Sequence, residues 1–161
     1  VSTSGSTLMH EDALGTFCSR LLPMATLLTP NIPEAEVLSN LSIRSIDDMD
    51  AAGRSILALG CKAVLIKGGH LEGRKIDKLY LPNDEVCSFV HEAIATRNTH
   101  GTGCTLSSAI AAFLPQSVDV PEACRRAKEY LTGAVRHAGE LDVGHGHGPT
   151  NHFWRLWKER V

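Results

Sequence analysis

The run Asn98-Thr99-His100-Gly101-Thr102-Gly103-Cys104 is the part of this chain best equipped for chemistry. Two glycines around Thr102 let the backbone turn sharply and expose successive N–H groups. The almost wholly apolar segment 104–114 then reads as a helix, whose positive dipole end faces those amides. Such an arrangement binds an anion without any charged side chain. Cys104 falls in the first helical turn, a place that favours a thiolate. A thiolate beside an anion hole can take the proton of an attacking alcohol, while the amides hold the charge that builds on a phosphoryl group in transfer. From glycine pairs alone, the plainer reading of a glycine-rich helix entry with a buried cysteine stays ahead.

Three further sites have the right residue types. Asn31 and Glu34 stand three apart at a strand-to-helix junction, so both can face one crevice and hold water-coordinated Mg2+. On spacing alone the stronger reading is that Asn31 caps the helix and Glu34 favours its N-terminus. Lys67 ends an apolar run before Gly68-Gly69 and can meet a phosphate as a point charge, although strand-end lysines are more often merely solvated. The phosphate loop GxxxxGK[ST] is absent, which argues against a P-loop NTPase. His145, His147 and His152 have no Cys or carboxylate at ligand spacing, so a loop that closes over a ligand is favoured over a metal site.

These residues need elements to hold them. Leu14, Phe17, Cys18, Leu21 and Leu22 predict an amphipathic helix over 10–22, ended by Pro23. Residues 26–29 form a short apolar run stopped by Pro30, read as a buried parallel strand, and Pro33 opens a short helix over 33–39. Ser45 with Asp48 resembles a capping box for a helix whose stripe is Ile46, Met49, Ile56, Leu57 and Leu59, with Gly60 at its end. A strand follows at 63–66. Residues 77–81 and 86–90 read as a hairpin through Pro82-Asn83-Asp84. Asp119-Val120-Pro121 opens a last helix carrying Ala123, Ala127, Tyr130, Leu131, Ala134 and Val135. Alternating helices and solid apolar strands predict one α/β domain over 1–161, with a mainly parallel sheet covered by helices on both faces. In such sheets ligands bind at the carboxyl ends of the strands, where Asn31 and Lys67 stand.

Bulk composition removes other classes. The 161 residues are 43% hydrophobic, and 16 basic against 18 acidic residues leave no global attraction to nucleic acid or an anionic membrane. No apolar stretch approaches the roughly 20 residues of a membrane span, and no signal-peptide pattern opens the chain. Five scattered cysteines without CxxC spacing point to a reducing compartment, most simply the cytoplasm.

Taken in order, Thr-Pro-Asn-x-Pro-Glu (29–34), Val-Leu-Ile-Lys-Gly-Gly-His (64–70), the run 96–110 around His-Gly-Thr-Gly-Cys-Thr, and Gly-His-Gly-Pro-Thr-Asn-His (146–152) resemble the hydroxymethylpyrimidine/phosphomethylpyrimidine kinases of thiamine biosynthesis. That resemblance covers nearly all of the chain and reverses the plainer readings. It implies a three-layer ribokinase-like fold whose amino-terminal part is expected to be missing here. It implies that Cys104 is the catalytic base and that Gly101, Thr102 and Gly103 cradle the phosphoryl group. Lys67, Thr99 and Asn31 would meet ATP, while Glu34 and Asn31 order Mg2+. Its expected partners are ATP, a small pyrimidine substrate and a second copy in a homodimer. Two alternatives remain open: a pyridoxal or related vitamin kinase of the same superfamily, and a truncated, non-catalytic nucleotide-binding module.

Overall fold

A computed structural model describes residues 11–69, 75–91, 93–117, 119–143 and 145–157. The chain divides into two compact units, Val1–Glu92 and Ala93–Val161. No helix among the described residues is long and apolar enough to cross a membrane.

In the first unit, helix α1 (Glu11–Thr16) passes into a π-helical turn over Phe17–Leu21 and a 3-10 turn over Leu22–Met24 that contains Pro23. His10, included in the expected helix, lies outside the described residues. Helix α2 (Ile32–Ser39) starts on Asn31 and stops at Asn40, which takes the left-handed conformation at φ 56°. Helix α3 (Ile46–Leu57) starts on Ser45, whose side chain accepts from Asp48 N–H, while Asp48 accepts from Ser45 N–H. The buried face of α3 is Met49, Ala52, Gly53 and Ile56. Met49 and Ile56 are buried as expected, whereas Ile46 and Leu59 are exposed, Leu59 lying past the end of the helix, and Ala52 and Gly53 complete the inward face.

Strands β1 (Val64–Lys67), β2 (Lys75–Tyr80) and β3 (Val86–His91) form a sheet in the order β1-β2-β3. The α/β class and the hairpin are as expected, with Asn83 and Asp84 both at positive φ in the turn. The strand direction differs from expectation: both described ladders are antiparallel, with Val64 opposite Tyr80 and Tyr80 opposite Val86. Among the described residues of this unit, parallel pairing occurs only where residues 28–31 bridge β1, at Leu28–Val64 and Asn31–Lys67. Pro30 explains why this segment makes no longer ladder, since it has no N–H to donate. The solid apolar run of β1 reports burial of both faces, not parallel neighbours. Val64 and Ile66 join a core with Leu22, Ile32, Met49 and Ile56, while Leu65 and its partner Leu79, on the opposite face, are as completely buried.

Tyr80 closes that core. Its ring lies on Gly53, where an added Cβ would fall 2.4 Å from the ring. Its hydroxyl donates to Asp50 Oδ1 at 2.8 Å, and Lys78 pairs with the same carboxylate. A buried polar group is tolerated only when so satisfied.

In the second unit, α4 (Thr102–Phe113) packs on α5 (Val120–Arg136) through Leu106, Ala109 and Ile110 against a face of Ala123, Cys124, Ala127 and Ala134. Asp119 caps α5 by accepting from Glu122 N–H at 2.8 Å. Trp154, in the short helix α6 (Trp154–Trp157), sits against Gly133 and stacks on His137 at 5.4 Å.

Burial first, and then the Asp50 carboxylate, push the Tyr80 hydroxyl well above its ordinary value of 10.0. The unfolded chain ionises at that value while the folded chain stays protonated, so this stabilisation is complete below it and is lost as pH rises above it. The expected slope is about 1.4 kcal/mol per pH unit. Tyr80→Phe should lose about 1 kcal/mol at neutral pH and flatten the alkaline limb. Urea unfolding at a series of pH values up to about 11 measures both, and an alkaline limb that is unchanged in the variant would contradict this role.

Candidate active site

The first unit brings Asn31, Glu34 and Lys67 together. Asn31 bridges Lys67 in parallel, so both stand at the carboxyl ends of adjacent segments. The capping reading of Asn31 and Glu34 is correct in its geometry. Glu34 N–H donates to Asn31 Oδ1 at 2.9 Å, and Asn31 N–H donates to Glu34 Oε2 at 2.8 Å. A carboxylate has about four acceptor positions, so this cap orients Glu34 without exhausting it.

The backbone after Lys67 is fixed by a residue that sequence reasoning passed over. Asp77, opposite Lys67 on β2, is only 4% exposed and accepts from Gly68 N–H at 2.9 Å. Gly68 is there for space: a Cβ would fall 2.0 Å from Ile76 O. Lys75 Nζ adds a bond to Gly69 O at 2.6 Å. The available signal was Asp77-Lys78, two charges inside an otherwise buried strand, because such charges persist only when paired.

The second unit holds Thr99, Gly101, Thr102, Gly103 and Cys104. Gly101 takes the left-handed conformation at φ 80° and serves as the N-cap of α4. Its carbonyl accepts from both the N–H and the hydroxyl of Thr105, each at 2.8 Å. Helices α2, α3 and α5 each begin on a residue whose side chain satisfies a first-turn amide, namely Asn31, Ser45 and Asp119. Gly101 has no side chain, so α4 receives no such cap. Among the described residues, Thr102 N–H alone of these amides makes a turn contact, a long one, 3.4 Å from Thr99 O. The amides that open α4 therefore keep their capacity for an anion, and the helix dipole adds to it.

Cys104 is exposed, contrary to the buried cysteine of the plainer reading. It lines a groove of about 500 Å3 together with Thr105, Ala109, Phe113, Tyr130 and His152. The carboxyl-terminal motif comes to this loop as well: His100 bridges Pro149, and His100 N–H donates to Gly148 O at 3.2 Å. Of the histidines first considered together, His147 has a ring nitrogen 3.0 Å from Arg97 O, and the His152 carbonyl accepts from the Tyr130 hydroxyl at 3.0 Å.

In the second unit a thiol beside an anion-ready helix start suits phosphoryl transfer, and in the first a strand-end lysine and hard oxygen donors suit a polyphosphate. Comparison with known proteins agrees. The sequence profile named phosphomethylpyrimidine kinase matches residues 1–151. The hydroxymethylpyrimidine/phosphomethylpyrimidine kinase of Rhizobium meliloti (strain 1021) is 42% identical over 160 residues, covering 99% of this chain and 60% of that protein. This chain thus spans about three fifths of that relative's length. The ADP complex of Bacillus subtilis pyridoxal kinase matches with a TM-score of 0.83 and 35% identity, over 93% of this chain and 58% of that one. A phosphomethylpyrimidine kinase from Clostridium difficile 630 matches with a TM-score of 0.72 and 39% identity, over 84% and 54%.

The close approach at Gly68 makes a direct prediction. Gly68→Ala should cost roughly 1–3 kcal/mol by forcing β1 and β2 apart at the Lys67 end. Chemical denaturation reads this, and an unchanged midpoint would mean that the contact is relaxed in solution.

Proposed function

The chain belongs to the phosphomethylpyrimidine kinase family, and we propose that it carries the phosphoryl-transfer centre of an ATP-dependent kinase acting on a hydroxymethylpyrimidine and on its monophosphate. The observation that carries this reading is the start of α4, where a left-handed glycine withholds a cap beside an exposed Cys104. In the proposed step Cys104 Sγ takes the proton of the pyrimidine hydroxymethyl group. The oxygen so freed bonds to the γ-phosphorus of ATP, and the bond from that phosphorus to ADP breaks. For the monophosphate, a phosphate oxygen is the nucleophile. Amides of Gly101, Thr102 and Gly103 stabilise charge on the moving group, and Thr99 helps to seat it. Lys67 neutralises the ATP phosphates.

Asn31 and Glu34 offer hard oxygen donors of the kind Mg2+ prefers, and their mutual cap leaves them suited to hold it through water. When bound, the cation would neutralise nucleotide phosphate charge. The odd, scattered cysteines support a reducing compartment such as the cytoplasm. A second reading, pyridoxal as the alcohol, is favoured by the likeness to a pyridoxal kinase.

Cys104→Ala should lower turnover of hydroxymethylpyrimidine by about 10²–10⁴-fold, while ATP affinity stays within about threefold. Near-normal turnover in that variant would sink the assignment of Cys104 as base. Running the same assay with pyridoxal decides between the two substrates. Inactivity with both alcohols, alongside normal Mg-ATP binding, would point to a nucleotide-binding module. Glu34→Gln keeps an oxygen to accept from Asn31 N–H and removes the charge, so the Mg2+ concentration for half-maximal rate should rise about tenfold. An unchanged Mg2+ requirement would remove Glu34 from this role.

A further inference from the structure

In the second unit the carboxamide of Asn98 joins three pieces of chain. Its Nδ2 donates to Ala138 O at 2.9 Å, in the 3-10 turn that follows α5, and its Oδ1 accepts from Gly148 N–H at 3.2 Å. Gly148 O accepts in turn from His100 N–H at 3.2 Å, and the His147 ring meets Arg97 O at 3.0 Å. Residues 97–100 are thus fastened along 147–149, and Asn98 is the side chain that reaches on to the third segment.

The seat is tight. Gly148 is buried, and a Cβ there would fall 2.4 Å from Asn98 Oδ1 and 2.7 Å from its Cγ. Gly148 does not have a positive φ, so glycine is needed there for room and not for backbone freedom. Three residues after Asn98 the chain makes its left-handed turn at Gly101, and α4 begins. Leu106, Ala109 and Ile110 fix the axis of α4 by burial. They do not fix the loop that enters it, because Thr99 and His100 are exposed and Gly101 has no side chain. The His100 backbone is held on Gly148, and the nearest side-chain anchor upstream is Asn98.

We propose that Asn98, seated on Gly148, is a positioning residue for phosphoryl transfer: it sets the path into Gly101 and thereby the direction in which the first-turn amides and Cys104 face the reacting group. This rests on the reading of Cys104 as base. A displacement of about 1 Å at a reacting centre is enough to cost about 100-fold in rate.

The test compares Asn98→Ala, Gly148→Ala and the double variant in the full chain. Each single change should lower kcat about 10- to 100-fold, with KM for ATP within about threefold. The double variant should be no slower than Asn98→Ala, because removing the carboxamide removes the overlap that the new Cβ creates. A second measurement is independent of turnover: the rate of iodoacetamide alkylation at Cys104, resolved by mass spectrometry against Cys18 of the same molecule. Asn98→Ala should shift the Cys104 rate several-fold and leave Cys18 alone. Should Asn98→Ala fail to fold, Asn98→Asp keeps the acceptor for Gly148 N–H, loses the donor to Ala138 O, and carries the same comparison. Unchanged kcat together with unchanged Cys104 alkylation would overturn the proposal, as would losses that simply multiply in the double variant. A wild-type chain that phosphorylates no pyrimidine, yet whose Cys104 alkylation responds to Asn98, would overturn the functional reading and leave the positioning role standing.

Discussion

A helix that begins on a left-handed glycine forgoes a side-chain cap, and α4 does so at Gly101. A side-chain cap contributes about 1 kcal/mol to a helix. A capping oxygen at this point would occupy the amides that the proposed anion site needs. The second unit is arranged around keeping those amides both open and still. Thr105 holds the Gly101 carbonyl twice, and the buried face of α4 holds its axis on α5. The segment 147–149 holds the incoming chain. Stability forgone at the cap is thus offset by contacts that bind no ligand themselves.

The first unit solves the opposite problem, which is to bring charge to a strand end without losing the strand. Lys67 sits where β1 leaves the sheet, and the next peptide is pinned by the buried Asp77 carboxylate. Asn31 lies across the bridge from Lys67 with its side chain locked to Glu34. None of these side chains floats on a loose loop. Each is carried by backbone whose hydrogen bonds are already spoken for, which is what pre-organised charge requires.

What the sequence made legible was local. Ser45 with Asp48, Asn31 with Glu34, and Asp119 ahead of Pro121 announce helix starts because a cap is settled within four residues. Asn83-Asp84 announces the hairpin for the same reason. Strand direction was not legible, because Val64-Leu65-Ile66 records that both faces are covered and nothing about which way a neighbour runs. The inward strip of α3 was misread in part, since Ala52 and Gly53 carry little hydrophobic signal and yet are buried, Gly53 directly against the Tyr80 ring. Asp77 was passed over, and Asn98 was named in its run without its contacts, because their partners are distant in sequence and a lone polar residue does not say whom it will meet. The motif around Cys104 was recognisable, whereas the fastening that directs it was not.

The two aromatic rings seated on helical glycines, Tyr80 on Gly53 and Trp154 on Gly133, bear on how each unit folds. Glycine inside a helix costs about 1 kcal/mol relative to alanine, so Gly53 and Gly133 each lower the helix propensity of α3 and α5 as isolated segments. In each, a ring from a later part of the chain occupies the space that the missing side chain leaves. Ring docking thus couples each helix to a later part of the chain, which favours cooperative folding within each unit. A nascent chain that has emerged only as far as Gly53 or Gly133 still lacks the contact that makes its helix worth forming.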